Sequence, residues 1–342
     1  MLTSGKLRAA LRPRRESNPR HSIHFPPRSA AANRHVYSVT FTGGRDLPAA
    51  TLQTRTYETA LAWYFVAVWG SGFIATKIGL QHAPPFTFLT LRFAFGLACL
   101  LVIVLAVRPR WPQSWPELGH VVVAGLLMHA VHLSGSHYTQ YLGMSAGITA
   151  VLLAVQPLLT AFIAANWLGE RLSGRQWLGI VIGLAGVALV VWHRIDVREA
   201  SAGSLAAVAV ALAGVTAGTL YQRACCPLVD LRAGAFIQFV VTLAVLSPLA
   251  WAVEGAPVRW SWLLAGAIVF LVIGGSILAV NALHTLMRRG QAARVASLVY
   301  LTPIFAIGLE LVLFGIVPTG LSAIGIAVTL LGVALVSWRR PP

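Results

Sequence analysis

Long apolar runs, each about 20 residues in length, follow one another from Glu58 almost to the end of the chain. At 1.5 Å per residue, a helix of that length crosses the roughly 30 Å hydrocarbon core of a bilayer. Only 11% of the 342 residues are charged, against roughly 25% in a soluble globular domain. So few charges cannot cover a water-soluble surface, and we therefore predict an all-α integral membrane protein.

Ten transmembrane helices with short connections are predicted. They lie near residues 58–80, 84–107, 117–141, 144–168, 175–192, 203–223, 232–253, 260–287, 291–314 and 319–338. If the N-terminus is cytoplasmic, the inner connections and the C-terminus hold Arg108, Arg110, Arg171, Arg175, Arg223, Arg232, Arg288, Arg289, Arg294, Arg339 and Arg340, and the outer connections hold Arg194, Arg198 and Arg259. This positive-inside bias predicts a multi-pass protein of the cell (inner) membrane with both termini cytoplasmic.

Residues 1–57 form a basic N-terminal tail that is rich in Arg, Pro, Ser and Ala and has no apolar period. Its composition is typical of disorder, and no apolar core of a signal peptide is present. An organelle transit peptide and a wrongly assigned start codon are alternative interpretations. Much of the formal net charge of +16 lies in this tail and in loops, so the charge does not predict a nucleic-acid partner.

An internal repeat appears when the chain is aligned with itself at an offset of 146 residues. Residues 186–190 and 332–336 are then identical, and Phe93 falls on Phe239. The halves, residues 58–192 and 203–338, would each hold five spans. An odd number of spans makes the second half enter the membrane from the opposite side, so we predict two inverted five-helix repeats, an arrangement found in secondary transporters.

Three ionisable side chains lie within the predicted spans at positions that need a reason, because burial of a charge in hydrocarbon is costly. Arg92 lies deep in the second span, where it would either bind an anionic substrate group or clamp backbone carbonyls. Lys77 and Glu310 lie near the outer ends of their spans. They would reach the headgroups, form an outer gate, or, for Glu310, bind a coupling proton.

The third predicted span carries His129, His132 and His137. His129 and His132 share a helix face, from which His137 is expected to turn away. Apart from Glu117 at the start of this span, no Asp, Glu or Cys joins them, so we predict neither a metal site nor a cofactor, and a polar wall for a cavity instead. A membrane-embedded, His-dependent metalloenzyme is the alternative.

Prolines interrupt the fourth and ninth predicted spans at matched positions, Pro157 and Pro303. Breaks in a helix within the membrane are tolerated where protein or a watery cavity surrounds them. We therefore predict kinks at both prolines, close to a substrate path. The residues assigned to that path are Trp69, Arg92, His132, Gln156 and Tyr300.

The first half resembles the EamA-type transporters of the drug/metabolite transporter (DMT) superfamily. The motifs that carry the resemblance are Trp69-Gly70-Ser71-Gly72-Phe73, Lys77, Pro84-Pro85, Leu91-Arg92-Phe93, Ser145-Ala146-Gly147, Gln156-Pro157 and Leu168-Gly169-Glu170-Arg171-Leu172. The second half echoes them in Gln291-Ala292-Ala293, Thr302-Pro303 and Phe314-Gly315. The resemblance covers residues 58–338 and implies ten helices, two repeats, cytoplasmic termini and export of amino acids or related metabolites.

One feature departs from that family pattern. The family usually repeats Gly-Glu at the end of the ninth helix, whereas Ile316 follows Gly315 here. Glu170 and Arg171 are interpreted as a helix-end anchor on the cytoplasmic side.

These features together predict a secondary transporter or exporter of a small metabolite, which works by alternating access and is not an enzyme. Its cavity would be lined by the first, third, fourth, sixth, eighth and ninth spans. The expected partners are the lipid bilayer, a small-molecule substrate and a coupling proton or ion, in a monomer or homodimer. A non-transporting membrane scaffold is the remaining alternative.

Overall fold

Helices alone build the described part of the chain. The computed structural model describes residues 49–167, 172–196, 200–255, 257–288, 301–316, 318 and 320–337, and no strand occurs in these ranges. The helices are α1 (Ala49–Leu80), α2 (Pro85–Val107), α3 (Trp115–Gly125), α4 (His132–Tyr141), α5 (Ala146–Leu153), α6 (Gln156–Trp167), α7 (Gly174–Asp196), α8 (Ala202–Cys225), α9 (Leu231–Val253), α10 (Trp262–Val269), α11 (Val280–Arg288), α12 (Leu301–Phe314) and α13 (Gly320–Ser337).

The first helix begins at Ala49, nine residues before the predicted start of the first span at Glu58. Residues 49–57 contain no Gly or Pro, and their Ala, Leu, Gln and Arg are good helix formers. The helix of the first span therefore extends through this segment on its N-terminal side. The expected tail is therefore shorter by this segment. Its remainder, residues 1–48, lies outside the described residues.

Two long helices run through the bundle without a break, and each contains a π-helical segment. We call these two continuous helices rods. The segment π1 (Leu126–Val131) joins α3 to α4, and π2 (Phe270–Ala279) joins α10 to α11. The offset of 146 residues maps π1 onto residues 272–277, which lie within π2. Such segments are rare and frequently mark functional sites.

Serine and aspartate side chains cap the starts of five helices. Each accepts a hydrogen bond from a backbone N–H of the first helical turn, which has no partner within the helix. The capping residues are Ser114, Ser145, Ser201, Asp230 and Ser261. Ser145 fixes the start of α5, which becomes part of the site described below.

Eight helical stretches of the described chain are long and apolar enough to cross a membrane, and two shorter apolar helices, Leu301–Phe314 and Gly320–Val336, follow them. Large apolar side chains such as Val102 and Val312 are exposed in mid-helix, as on a surface that faces lipid. Trp115, Trp251 and Trp262 are exposed at helix ends, where tryptophan favours the membrane interface. The protein is therefore an all-helical, multi-pass membrane protein.

Glycines bring α7 and α13 into backbone contact. A Cβ atom on Gly186 would lie 2.7 Å from the carbonyl oxygen of Gly325, and one on Gly325 would lie 2.7 Å from that of Gly186. The same reciprocal contact joins Gly179 and Gly332, at 2.7 and 2.6 Å. Helices approach this closely in membranes only where small residues line the crossing.

Candidate functional site

A cavity of about 420 Å³ lies inside the bundle. Its lining comes from α1, α2, the rod α3–π1–α4, α5, α8, α9 and the rod α10–π2–α11. At one end it reaches the connection between α8 and α9, where Leu231 is half exposed; we call this the α8–α9 end (residues 226–230). At the opposite, α4–α5 end (residues 142–145), the lining stops at Thr76, Ser136 and His137, which are buried.

Arg92 extends from α2 into this cavity. Its guanidinium donates one long hydrogen bond, 3.5 Å, to Ser276 Oγ of π2. Within the described ranges, no carboxylate lies within 4.0 Å of it, since the one ion pair found there joins two other residues. A guanidinium carries five N–H donors, so Arg92 is the cationic group that the cavity can offer to an anion.

The rod α3–π1–α4 supplies the histidines, and all three line the cavity. His129 Nε2 lies 3.2 Å from Gln238 Oε1, and His132 Nδ1 lies 3.0 Å from the carbonyl oxygen of Ala211. The ring of His137 packs against Phe88, with centroids 5.7 Å apart. His137 lines the same cavity as His129 and His132 although it is expected on another face, because the lining is not confined to one face of this rod.

These histidines have separate partners and do not converge on one point. No group of three His, Cys, Asp or Glu side chains in the described part of the chain is placed to hold a metal ion. The Nε2 of Gln238 instead donates to Gln222 Oε1 over 3.3 Å. The result is a polar wall from π1 through α9 to α8 that extends toward the α8–α9 end.

Aromatic rings form the rest of the middle of the cavity. Phe93 of α2 and Phe239 of α9 meet edge to face, with centroids 4.8 Å apart, and the ring of His129 meets both of them edge to face as well. Trp69 of α1 also lines the cavity and packs against Phe65, with centroids 5.0 Å apart. The cavity thus joins an apolar surface to a few polar groups, the usual composition of a small-molecule site.

Glu310 of α12 joins three helices close to the α4–α5 end. Its Oε1 accepts hydrogen bonds from Lys77 Nζ at 2.8 Å and from the backbone N–H of Ala146 at 3.0 Å, while Oε2 accepts from the N–H of Gly147 at 2.8 Å. Lys77 Nζ also lies 4.3 Å from the centre of the Phe314 ring. We call this arrangement the Glu310 clasp.

The clasp holds the carboxylate in place with partners on both of its oxygens. Glu310 is 2% exposed, and the first N–H groups of α5 add the positive end of a helix dipole to the charge of Lys77. Gly147 permits the contact, because a Cβ there would lie 2.7 Å from Ile307 and 3.0 Å from Glu310 Oε2. The structure thus joins the two residues that the sequence could only propose as a pair.

A second carboxylate, Glu254, performs a similar task for α2. It follows α9 and accepts hydrogen bonds from the backbone N–H groups of Phe86 and Thr87, at 2.8 and 2.7 Å, and from the Thr87 hydroxyl at 2.9 Å. Pro85 at the start of α2 has no N–H to satisfy. The sequence did not reveal this contact, because Phe86 and Glu254 lie 168 positions apart.

Several predicted site residues lie away from the cavity or outside the described residues. Gln156 does not line the cavity: its amide nitrogen donates to Thr160 Oγ1 and Thr219 Oγ1, at 3.2 and 3.4 Å. A turn at residues 154–155 interrupts the fourth predicted span just before it, and Pro157 lies in the first turn of α6. Pro303 lies, buried, in the first turn of α12 as described. The residues Tyr300, Glu170 and Arg171 lie outside the described residues.

The sequence missed Gln238 and Phe239 of α9 and Asp230, the residue that precedes α9. One signal pointed to them, because Phe239 is the residue that the internal offset aligns with Phe93. Beside Asp230, Cys226 also lines the cavity. Burial raises the pKa of the Cys226 thiol, and neighbouring Cys225 and Glu117 act in the same direction.

A bundle of membrane-crossing helices around a partly polar cavity that reaches one end of the bundle is the architecture of a membrane transporter. The sequence model of the EamA-like transporter family matches the chain twice, over residues 58–192 and 201–338. The chain belongs to the EamA-like transporter family, which confirms the resemblance inferred from its motifs.

Relatives with curated descriptions agree with this assignment. The chain is 27% identical to an uncharacterized inner membrane transporter, YedA, of Escherichia coli, over 80% of this chain and 88% of that one. It is 25% identical to a probable amino-acid metabolite efflux pump of Escherichia coli, over 83% of this chain and 97% of that one. It is also 25% identical to an uncharacterized transporter of Synechocystis sp., over 82% and 89% of the two chains.

A solved crystal structure shares the fold. It aligns with a TM-score of 0.58 at 22% sequence identity, and the alignment covers 82% of this chain and 96% of the other.

Proposed function

We propose that this protein is a secondary transporter of a small carboxylate-bearing metabolite, such as an amino acid or a related compound, and that Arg92 binds the carboxylate. The observation that carries the proposal is the position of Arg92, which lines the cavity with no carboxylate within reach in the described residues. An arginine within the membrane is costly unless it has a partner or a function. A carboxylate that arrives with the substrate would supply the missing partner.

The remainder of the cavity supports a solute of modest size that is partly apolar. A volume of about 420 Å³ is within the range of small-molecule pockets, roughly 300–1,000 Å³. Trp69, Phe93 and Phe239 provide apolar surface, and His129 with Gln238 provides hydrogen-bonding groups. The relative named as a probable amino-acid metabolite efflux pump supports the same class of substrate.

Two inverted repeats of five helices would make alternating access possible. Three observations support this arrangement: the family matches the chain twice, π1 and π2 recur at the same offset, and Phe93 touches the residue aligned with it. The glycine contacts of α7 and α13 support it as well. The offset maps Gly179 onto Gly325 and Gly186 onto Gly332, so the two contacts would exchange under a two-fold rotation, as they do at isologous interfaces.

The Glu310 clasp would be the gate that closes the α4–α5 end while the cavity is open at the α8–α9 end. It joins α1 and α5 of the first half to α12 of the second half. Opening this end would have to separate these helices. The arginine distribution of the loops supports a cytoplasmic α8–α9 end and an external α4–α5 end, so the state described here would be open to the cytoplasm.

Ligand-induced thermal stabilisation of the purified full-length protein tests the proposal. The probes are matched pairs, each an amino acid and its carboxamide, over the common side-chain classes. We expect at least one amino acid to raise the Tm and its carboxamide to fail, because only the carboxylate pairs with Arg92. Stabilisation by both members of every active pair, or by no amino acid at all, would contradict the proposal.

The controls use three arginine variants. Arg92→Gln should abolish the stabilisation by the amino acid, and Arg92→Lys should retain part of it, since lysine keeps the charge but loses the planar fork. Arg110→Gln, at an exposed position in the α2–α3 connection, removes the same charge away from the cavity and should leave the stabilisation unchanged.

A further inference from the structure

The polar face of the rod α3–π1–α4 continues beyond the end of the cavity. His129, His132 and Ser136 follow one another at helical spacings of three and four residues, and all of them line the cavity. Gln140 lies one turn further along the same face, where the cavity has already stopped. One residue later the rod ends at Tyr141, which is half exposed.

Buried polar groups with no partner mark this stretch. Gln140 is 8% exposed and His137 is 2% exposed. Neither the amide of Gln140 nor either ring nitrogen of His137 has a hydrogen-bond partner in the described part of the chain. Such groups are normally hydrogen-bonded when they are buried. Two unpartnered polar side chains on adjacent turns are therefore not expected in a stretch that stays closed and dry in every state.

We propose that His137 and Gln140 line the outer half of the substrate passage, which is closed in the state described here and becomes hydrated when the α4–α5 end opens. The passage would admit the same carboxylate-bearing solute that the cavity binds, so this inference rests on the proposed function. The closed stretch is short. From Ser136 to the end of the rod at Tyr141 it spans about 7 Å at 1.5 Å per residue.

The proposal also gives the unpartnered groups an energetic role. Polar groups that lack partners raise the free energy of the closed state, and they regain hydrogen bonds to water in the open state. The Glu310 clasp acts in the opposite direction, because all of its hydrogen bonds belong to the closed state. The two opposed effects would keep both states accessible to thermal motion.

Cysteine accessibility in the full-length protein tests the passage. In a background with Cys99, Cys225 and Cys226 replaced by serine, Gln140→Cys and Thr139→Cys are each labelled with a membrane-impermeant thiol reagent from either side of sealed vesicles. Thr139 lies at the same depth, is fully buried and donates its hydroxyl to the carbonyl oxygen of Gly135, so it is the matched control. Cysteine restored at position 226 alone reports the opposite end.

We expect Gln140→Cys to react from the side opposite to that of Cys226, and Thr139→Cys to stay unreactive. Adding Glu310→Gln should speed labelling at position 140 on the order of tenfold, since a population shift of that size needs only about 1.4 kcal/mol. The proposal would be overturned if Gln140→Cys reacts no faster than Thr139→Cys, both with and without Glu310→Gln. It would also be overturned if Gln140→Cys reacts from the same side as Cys226.

A second variant guards against a folding defect and separates this inference from the proposed function. Gln140→Met keeps the side-chain length and removes the unpartnered amide, so it should raise the Tm by roughly 2–4 °C while it slows transport. Binding of the amino acid probe at Arg92 should persist. A lower Tm of Gln140→Met together with faster or unchanged transport would refute the passage. Failure of the wild-type protein to bind any amino acid would refute the proposed function instead.

Discussion

The Glu310 carboxylate lies 2.8 Å from the Lys77 ammonium, although 233 positions separate the two residues along the chain. The same carboxylate accepts the first backbone N–H groups of α5. The contact is therefore more than an ion pair, since one acceptor serves three donors from two helices. A simple ion pair would tolerate an exchange of its two charges, whereas this arrangement would not.

Exchanging the charges, with Lys77→Glu and Glu310→Lys together, should fail to restore stability. Glu310→Gln should lower the free energy of unfolding by about 2–3 kcal/mol, the usual cost of losing hydrogen bonds to a buried charge, and Lys77→Met by less. The exchanged pair would place an ammonium against N–H donors that need an acceptor. Unfolding in detergent measures all three variants, and rescue by the exchange would show that the N–H groups of α5 contribute nothing.

Close packing of α7 on α13 should tolerate no side chain at Gly186. Gly186→Ala would place a Cβ atom 2.7 Å from the carbonyl oxygen of Gly325 and against the backbone nitrogen of Thr329, and overpacking of this kind costs about 1–3 kcal/mol. Gly266 of α10 is exposed, with nothing within 4 Å of a Cβ. Gly266→Ala should therefore be neutral or stabilising by up to about 1 kcal/mol, and equal effects of the two variants would contradict the packing.

Cys226 should report the occupancy of the cavity. Its thiol lines the α8–α9 end, and burial raises its pKa, so maleimide labelling should be slow at neutral pH and become faster as the pH rises and the thiolate forms. The amino acid identified by thermal stabilisation should slow the reaction at Cys226 in a Cys99→Ser, Cys225→Ser background. If saturating amino acid does not slow the labelling of Cys226, the amino acid binds outside this cavity.

The sequence predicted an all-helical membrane protein correctly because hydrophobic runs of membrane length have few other outcomes. It predicted Arg92 in the cavity for the same reason, since a guanidinium at that depth cannot face lipid. The contacts of Glu254 with Phe86 and Thr87 were beyond its reach, because the carboxylate lies in a loop and gains its partners only through tertiary structure.

Gln156 shows a different limit of the sequence. A polar residue beside a proline break was expected to face the solute, yet it hydrogen-bonds Thr160 on its own helix and Thr219 on α8. Local polarity does not distinguish a ligand from a contact between helices. The pair Phe93 and Phe239 shows where more could have been gained, because the internal offset aligns these two residues, and under the proposed two-fold arrangement aligned residues would meet only near the axis.

Solute counterflow in proteoliposomes tests the central claim most directly. Vesicles that hold the wild-type protein and are preloaded with the unlabelled amino acid should transiently accumulate the labelled amino acid above its equilibrium level, with saturable initial rates. Arg92→Gln should lose the overshoot and Arg110→Gln should keep it. An equal overshoot in Arg92→Gln, or uptake in the wild type that never saturates, would contradict a carboxylate transporter that works through this cavity.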